Sequence, residues 1–170
     1  MKPLKRHLWL GALALGIIFI ALGAMFIVTG LNAKTMITDE LVAQDTYLGK
    51  DAVVFGGTPG DRVEDASTAE IEAKIIALHT DGKYGIYSSL ERDDPHRADI
   101  LKGLALRNSL NMAVMGYGIA NLALSTGALI ALMGTGTVAF LAPVLYLTMA
   151  KEEEDGKGAV NTGAPALHAA

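Results

Sequence analysis

Residues 8–31 contain no charged side chain and are apolar almost throughout. About 20 such residues suffice to cross a bilayer as a helix. This run therefore constrains the chain to a membrane-anchored fold before anything else is considered. A second uncharged block covers residues 109–150. As one helix it would be roughly 63 Å long at 1.5 Å per residue, about twice a bilayer's apolar thickness. Gly134, Thr135, Gly136 and Thr137 read as a break in it. Two outcomes stay open. The block forms a span at 109–133 and a short third helix at 137–150, or the second piece lies in the membrane interface. Pro143 is tolerated in either case.

Charge orients this arrangement. Lys2, Lys5 and Arg6 precede the first apolar run, and only Lys34 lies close to its other end. The positive-inside rule then puts residues 1–7 in the cytoplasm and residues 32–108 outside. That middle segment carries nine Lys/Arg against fourteen Asp/Glu and has no basic patch of the kind nucleic acid requires. The apolar run exceeds the core of a cleavable signal sequence, and a bulky Leu31 occupies the only candidate cleavage site, so the run is expected to stay attached. There is no cysteine, which excludes disulfides, thiolate metal sites and cysteine nucleophiles.

Local signals predict a mainly helical middle domain. Thr38 is a candidate cap for a short helix, and residues 52–55 suit a strand or a buried extended piece. Ser67 and Glu70 have the spacing of a capping box for a helix ending near His79, with Gly82 as its stop. Asp94 and Pro95 form a second start signal, because proline's missing N–H costs nothing in a first helical turn. No breaker follows, so this helix is expected to run on past Asn108 into the apolar block. Lys102 and Arg107 would then face water or snorkel. Tyr84 and Tyr87 are expected to pack on the helix that carries Ile71.

Small residues recur along the second apolar block at steps of three or four: Ala113, Gly116, Ala120, Ala123, Gly127, Ala131 and Gly134. Such a face lets a second helix approach closely. Asn121 sits mid-block and needs a hydrogen-bond partner, and Ala12 and Gly16 form a small pair in the first run. Together these residues are the predicted helix–helix interface. Candidate chemistry is sparse. His79, His96 and an acid such as Asp93 are the only set from which an iron site could be drawn, and they lack the spacing of known ligand motifs. The 56–60 loop lacks the lysine and hydroxyl of a phosphate-binding loop, and neither apolar block holds a charge that would mark an ion path.

Leu90, Glu91, Arg92, Asp93, Asp94, Pro95 and Arg97, followed by a helix reaching the membrane edge, resemble a motif of small actinobacterial membrane proteins. The resemblance extends over about residues 8–133. The stretch at Tyr84 to Ile86 and the apolar run beyond Gly134 depart from it. That family often carries the label of an aromatic ring-opening dioxygenase, which would imply a non-heme iron enzyme or its small subunit. It also implies accessory subunits of the cytochrome bcc–aa3 respiratory supercomplex. The residues themselves favour a non-catalytic accessory or scaffold subunit of a larger membrane complex over an enzyme, and the supercomplex is implied by the resemblance alone. The expected protein is an α-helical integral membrane protein with transmembrane helices at 8–31 and 109–133, a short third helix or interfacial segment at 137–150, a mainly helical extracytoplasmic domain and a disordered tail over 151–170. Its expected partners are lipids and other integral membrane proteins, without nucleic acid, nucleotide, metal or cofactor, and with no catalytic role.

Overall fold

The computed structural model describes the backbone of residues 7–161 and the side chains of residues 7–151. Residues 1–6 and 162–170, which hold most of the predicted cytoplasmic terminus and the end of the predicted disordered tail, lie outside the described residues. Helix α1 spans Leu8–Ala43, α2 Ala66–His79, α3 Asp81–Tyr84, α4 His96–Gly136 and α5 Ala142–Asn161. Short 3₁₀ turns cover Lys50–Phe55 and Tyr87–Ser89, and a π-helical segment, Thr137–Leu141, joins α4 to α5. Among the described residues the only β pairing is an isolated bridge between Tyr47 and Arg62.

Two helices are long and apolar enough to cross a membrane: α1, and the continuous helical stretch His96–Lys151. The chain forms two compact units. One combines Met1–Ile27 with Ser125–Ala170, and the other is Val28–Leu124.

In the first unit the predicted break at Gly134 to Thr137 is absent, and residues 137–150, expected as a short third helix or an interfacial segment, continue the second helix. The hydroxyl groups explain why this stretch need not turn. Thr135 donates to the Ala131 carbonyl at 2.8 Å, and Thr137 to that of Met133 at 2.9 Å. Each satisfies its polar group on its own helix. Pro143 explains the π segment. Its ring would crowd the carbonyl four residues back, and it lacks an N–H. The widened turn, with the Ala142 N–H bonded to the Thr137 carbonyl, relieves that conflict. The helix then extends through Asn161, so residues 151–161 are helical where disorder was expected.

In the second unit α1 does not end with the apolar run. It continues through Lys34, Asp39 and Glu40 to Ala43, so Thr38 lies inside a helix rather than capping one. Asp45, at φ 47°, provides the stop. A left-handed non-glycine residue is costly unless its side chain is held locally. Here its carboxylate accepts from Tyr47 Oη at 3.1 Å and from Arg62 at 3.0 Å. The expected strand at 52–55 is a 3₁₀ turn that buries Ala52 completely and leaves Val53 and Val54 exposed.

Helix α2 starts two residues earlier than the Ser67 reading. Asp65 is its cap, accepting from the Thr68 N–H at 2.8 Å, while the Asp65 N–H donates back to the Thr68 hydroxyl at 3.1 Å. A carboxylate is the stronger acceptor for this position. The helix ends at His79 as expected, but the left-handed glycine is Gly85, after α3, and not Gly82. The core of this unit contains Leu41, Leu48, Val63, Ala69, Ile75 and Tyr117, with Leu110, Ala113 and Val114 packed against it. The first two turns of the second apolar block are therefore domain core. The boundary that hydropathy drew at Asn108 divides a packed unit.

The Asp65 carboxyl is held below the usual carboxylate range, chiefly by the Thr68 N–H and then by the Thr68 hydroxyl. A depressed acid contributes stability above its unfolded pKa and loses it as pH falls through the folded value. Asp65→Ala is expected to cost about 1 kcal/mol at neutral pH. Denaturation of the detergent-solubilised variant checks this, and the difference from the parent should shrink as pH falls through the lowered folded pKa of Asp65.

Candidate functional site

The predicted interface is built on glycines that hydropathy alone does not distinguish from their neighbours. In the first unit Gly16 and Gly23 of α1 are buried against Gly127, Ala131, Gly134 and Val138. A Cβ added at Gly23 would lie 2.6 Å from both the Ala131 nitrogen and the Gly127 oxygen. At Gly127 it would lie 2.7 Å from the Gly23 oxygen. A Cβ at Gly134 would meet the Gly16 oxygen and the Ile20 nitrogen, each at 2.7 Å. These neighbours are backbone atoms and cannot rotate aside. Glycine is thus the condition for helix contact in this unit.

The second unit repeats the device. Gly30 is buried, and a Cβ there would lie 2.9 Å from both the Ala120 oxygen and Leu124 Cγ. One at Gly116 would lie 2.8 Å from Ile37 Cδ1. Of the predicted interface residues, Gly16, Ala120 and Gly127 are buried, while Ala12, Ala113, Gly116, Ala123 and Ala131 are half-buried. Asn121 is exposed. Gly23 and Gly30 were missed. The available signal was the seven-residue repeat of Gly16, Gly23 and Gly30. Such a repeat keeps one face of a gently supercoiled helix toward its partner.

Tyr117 anchors the second unit's helices to its loop. Its hydroxyl donates to the Glu64 carbonyl at 2.9 Å and lies 2.5 Å from Thr38 Oγ1. Arg107 neither faces water nor snorkels: it forms an ion pair with Asp81 at the start of α3. A Cβ at Gly103, one turn away, would run into the side chain of Thr80, so α4 also lies close against the end of α2.

The family-like motif is a clamp on the start of α4. The Asp94 carboxylate accepts from the His96 N–H at 2.8 Å, which makes Asp94 the cap and Pro95 the first-turn residue. Arg97 donates to the carbonyls of Leu90 at 2.8 Å and Glu91 at 3.2 Å, and its guanidinium lies 4.0 Å from the centre of the Tyr87 ring. Arg92 and Asp93 are exposed. The tyrosine rings meet this segment: Tyr87 lies under Arg97, and Tyr84 stacks on His96 with ring centres 4.2 Å apart. His79 Nε2 lies 2.8 Å from Asp51 Oδ2. Among the described residues, no group of three or more His, Asp or Glu side chains is placed to hold a metal ion.

Gly23→Ala is expected to weaken the helix pair by about 1–3 kcal/mol, the usual range for overpacking. Gly118→Ala is the control, because a Cβ there meets nothing within 4 Å. It should gain up to about 1 kcal/mol from helix propensity alone. Tyr117→Phe should cost about 1–2 kcal/mol through the lost hydroxyl contacts. Thermal unfolding in detergent ranks all three variants. No protein-family model, curated protein or solved structure matches this chain.

Proposed function

We propose that the chain is a non-catalytic accessory subunit that spans the membrane twice and acts as a scaffold within a larger membrane complex. The observation that carries this reading is the apolar surface left over once the glycine contacts are made. In the first unit Ile17, Ile18, Met25, Leu132 and Phe140 are all more than half exposed. Lipid chains or the spans of other proteins are what cover such a surface.

In this reading residues 1–7 are cytoplasmic and residues 32–108 are extracytoplasmic, following the cationic flank. The unbroken second helix returns the tail to the cytoplasmic side. Trp9 and Tyr146 support that arrangement. Their rings meet edge to face with centres 5.5 Å apart, near the charged ends of the two apolar helices. Aromatic residues favour this level of a membrane. Close packing at Gly16 and Gly23 makes the helix pair one rigid element, and rigid elements suit a scaffold. The motif resemblance makes the cytochrome bcc–aa3 respiratory supercomplex the first partner to test.

Purification of a tagged copy in mild detergent, followed by mass spectrometry, is the test. The expected result is stoichiometric recovery of larger integral membrane subunits. A lone monomer, or a homo-oligomer without other subunits, would overturn the proposal.

A further inference from the structure

The second unit contains a groove of about 690 Å³ that the scaffold role does not use. That volume falls within the range of sites for small organic ligands. Its walls come from three helices, including Met36 of α1, Ile76 of α2, and Leu106 and Met112 of α4. Methionine walls adapt to irregular apolar shapes. The polar lining is one-sided: it includes the carboxylates of Glu40 and Glu72 and no lysine, arginine or histidine.

Glu72 is the telling residue. Its Oε2 is buried and has no hydrogen-bond partner. Burial pushes its carboxyl above the usual range, opposed by the charge of His79 further along α2. His79 is itself engaged with Asp51. A desolvated acceptor without a donor is unfavourable unless something supplies one. The groove thus combines apolar walls and negative polarity, and the unmet acceptor belongs to one of its lining residues.

We infer that this groove binds a small amphiphile with an apolar body and a single ammonium head, the head donating to Glu72 and the body lying along Met36, Leu106 and Met112. Charge complementarity selects the cation: an anionic head would meet two carboxylates, and a neutral alcohol would forgo the ion pair. This inference is independent of which complex the chain joins.

Phenylbutylamine, phenylbutanol and phenylbutyrate are suitable probes, because they share one apolar body and differ in head charge. Calorimetric titration of the full chain in lipid nanodiscs, corrected for empty nanodiscs, gives the comparison. Saturable one-to-one binding is expected for the amine, about tenfold or more tighter than for the alcohol, with the carboxylate weakest. Glu72→Gln should reduce the amine to the level of the alcohol. Met112→Trp, which fills the groove from an exposed position, should weaken both. Equal affinity for amine and alcohol, no saturable binding, or an amine preference that survives in Glu72→Gln would overturn the inference. The ranking on the unaltered protein decides it even if a variant fails to fold.

Discussion

Backbone contact between helices, made possible by missing side chains, is the constraint on which the rest of the structure depends. In the proposed membrane setting the two helices gain nothing from hiding apolar surface, because lipid tails are as apolar as leucine. They must gain from dispersion contact and close fit. Gly16 and Gly23 meet Gly127, Ala131 and Gly134 at distances that no Cβ could occupy. Such contacts determine register as well as proximity, since a one-residue shift of α1 would put Leu15 and Leu22, or Ile17 and Ala24, where Gly16 and Gly23 now sit. In the second unit the Gly30 contact with Ala120 and the Gly116 contact with Ile37 do the same. They bring Thr38 to Tyr117 and so place that hydroxyl on the Glu64 carbonyl.

One apolar vocabulary serves two environments in this chain. Leu110, Ala113 and Val114 cover a domain core, whereas Leu132 and Phe140, on the same continuous helical stretch, are exposed. Hydropathy gives both groups the same value. The difference lies in what stands opposite. The 3₁₀ turn and α2 supply Ala52, Ala69 and Ile75 as partners in the second unit. The polar residues follow the same logic. Asp65, Asp94 and Arg97 each satisfy backbone groups at helix ends or in the adjoining loop, so the motif that resembles a family signature has a structural explanation of its own.

Much of this was legible in the sequence, and the failures have specific causes. The two apolar helices and the Asp94–Pro95 start were readable because they rest on composition and on proline's missing N–H, which are local properties. The small-residue face on the second helix was readable from its spacing, but its counterpart at Gly23 and Gly30 was not sought at a seven-residue period. The break at Gly134 failed because threonine hydroxyls and a π turn satisfied the backbone, and neither is visible in a glycine count. Asp45 as a helix stop and Arg107 as an ion-pair partner depend on residues distant in sequence. The groove at Glu72 could not be read at all, because it exists only where three helices converge.

Cross-linking tests the central claim most directly, and the chain's lack of cysteine makes the readout clean. The rings of Trp9 and Tyr146 lie 5.5 Å apart on the two helices of the first unit, at positions that already carry side chains. With Trp9→Cys and Tyr146→Cys combined in native membranes, a short bifunctional thiol cross-linker should join them within one chain, mapped by mass spectrometry of the linked peptides. Adding Gly23→Leu, whose Cβ would meet backbone atoms of Gly127 and Ala131, should abolish the link. Absence of the link in the parent pair, or equal linking after Gly23→Leu, would contradict a helix pair held in register by glycine.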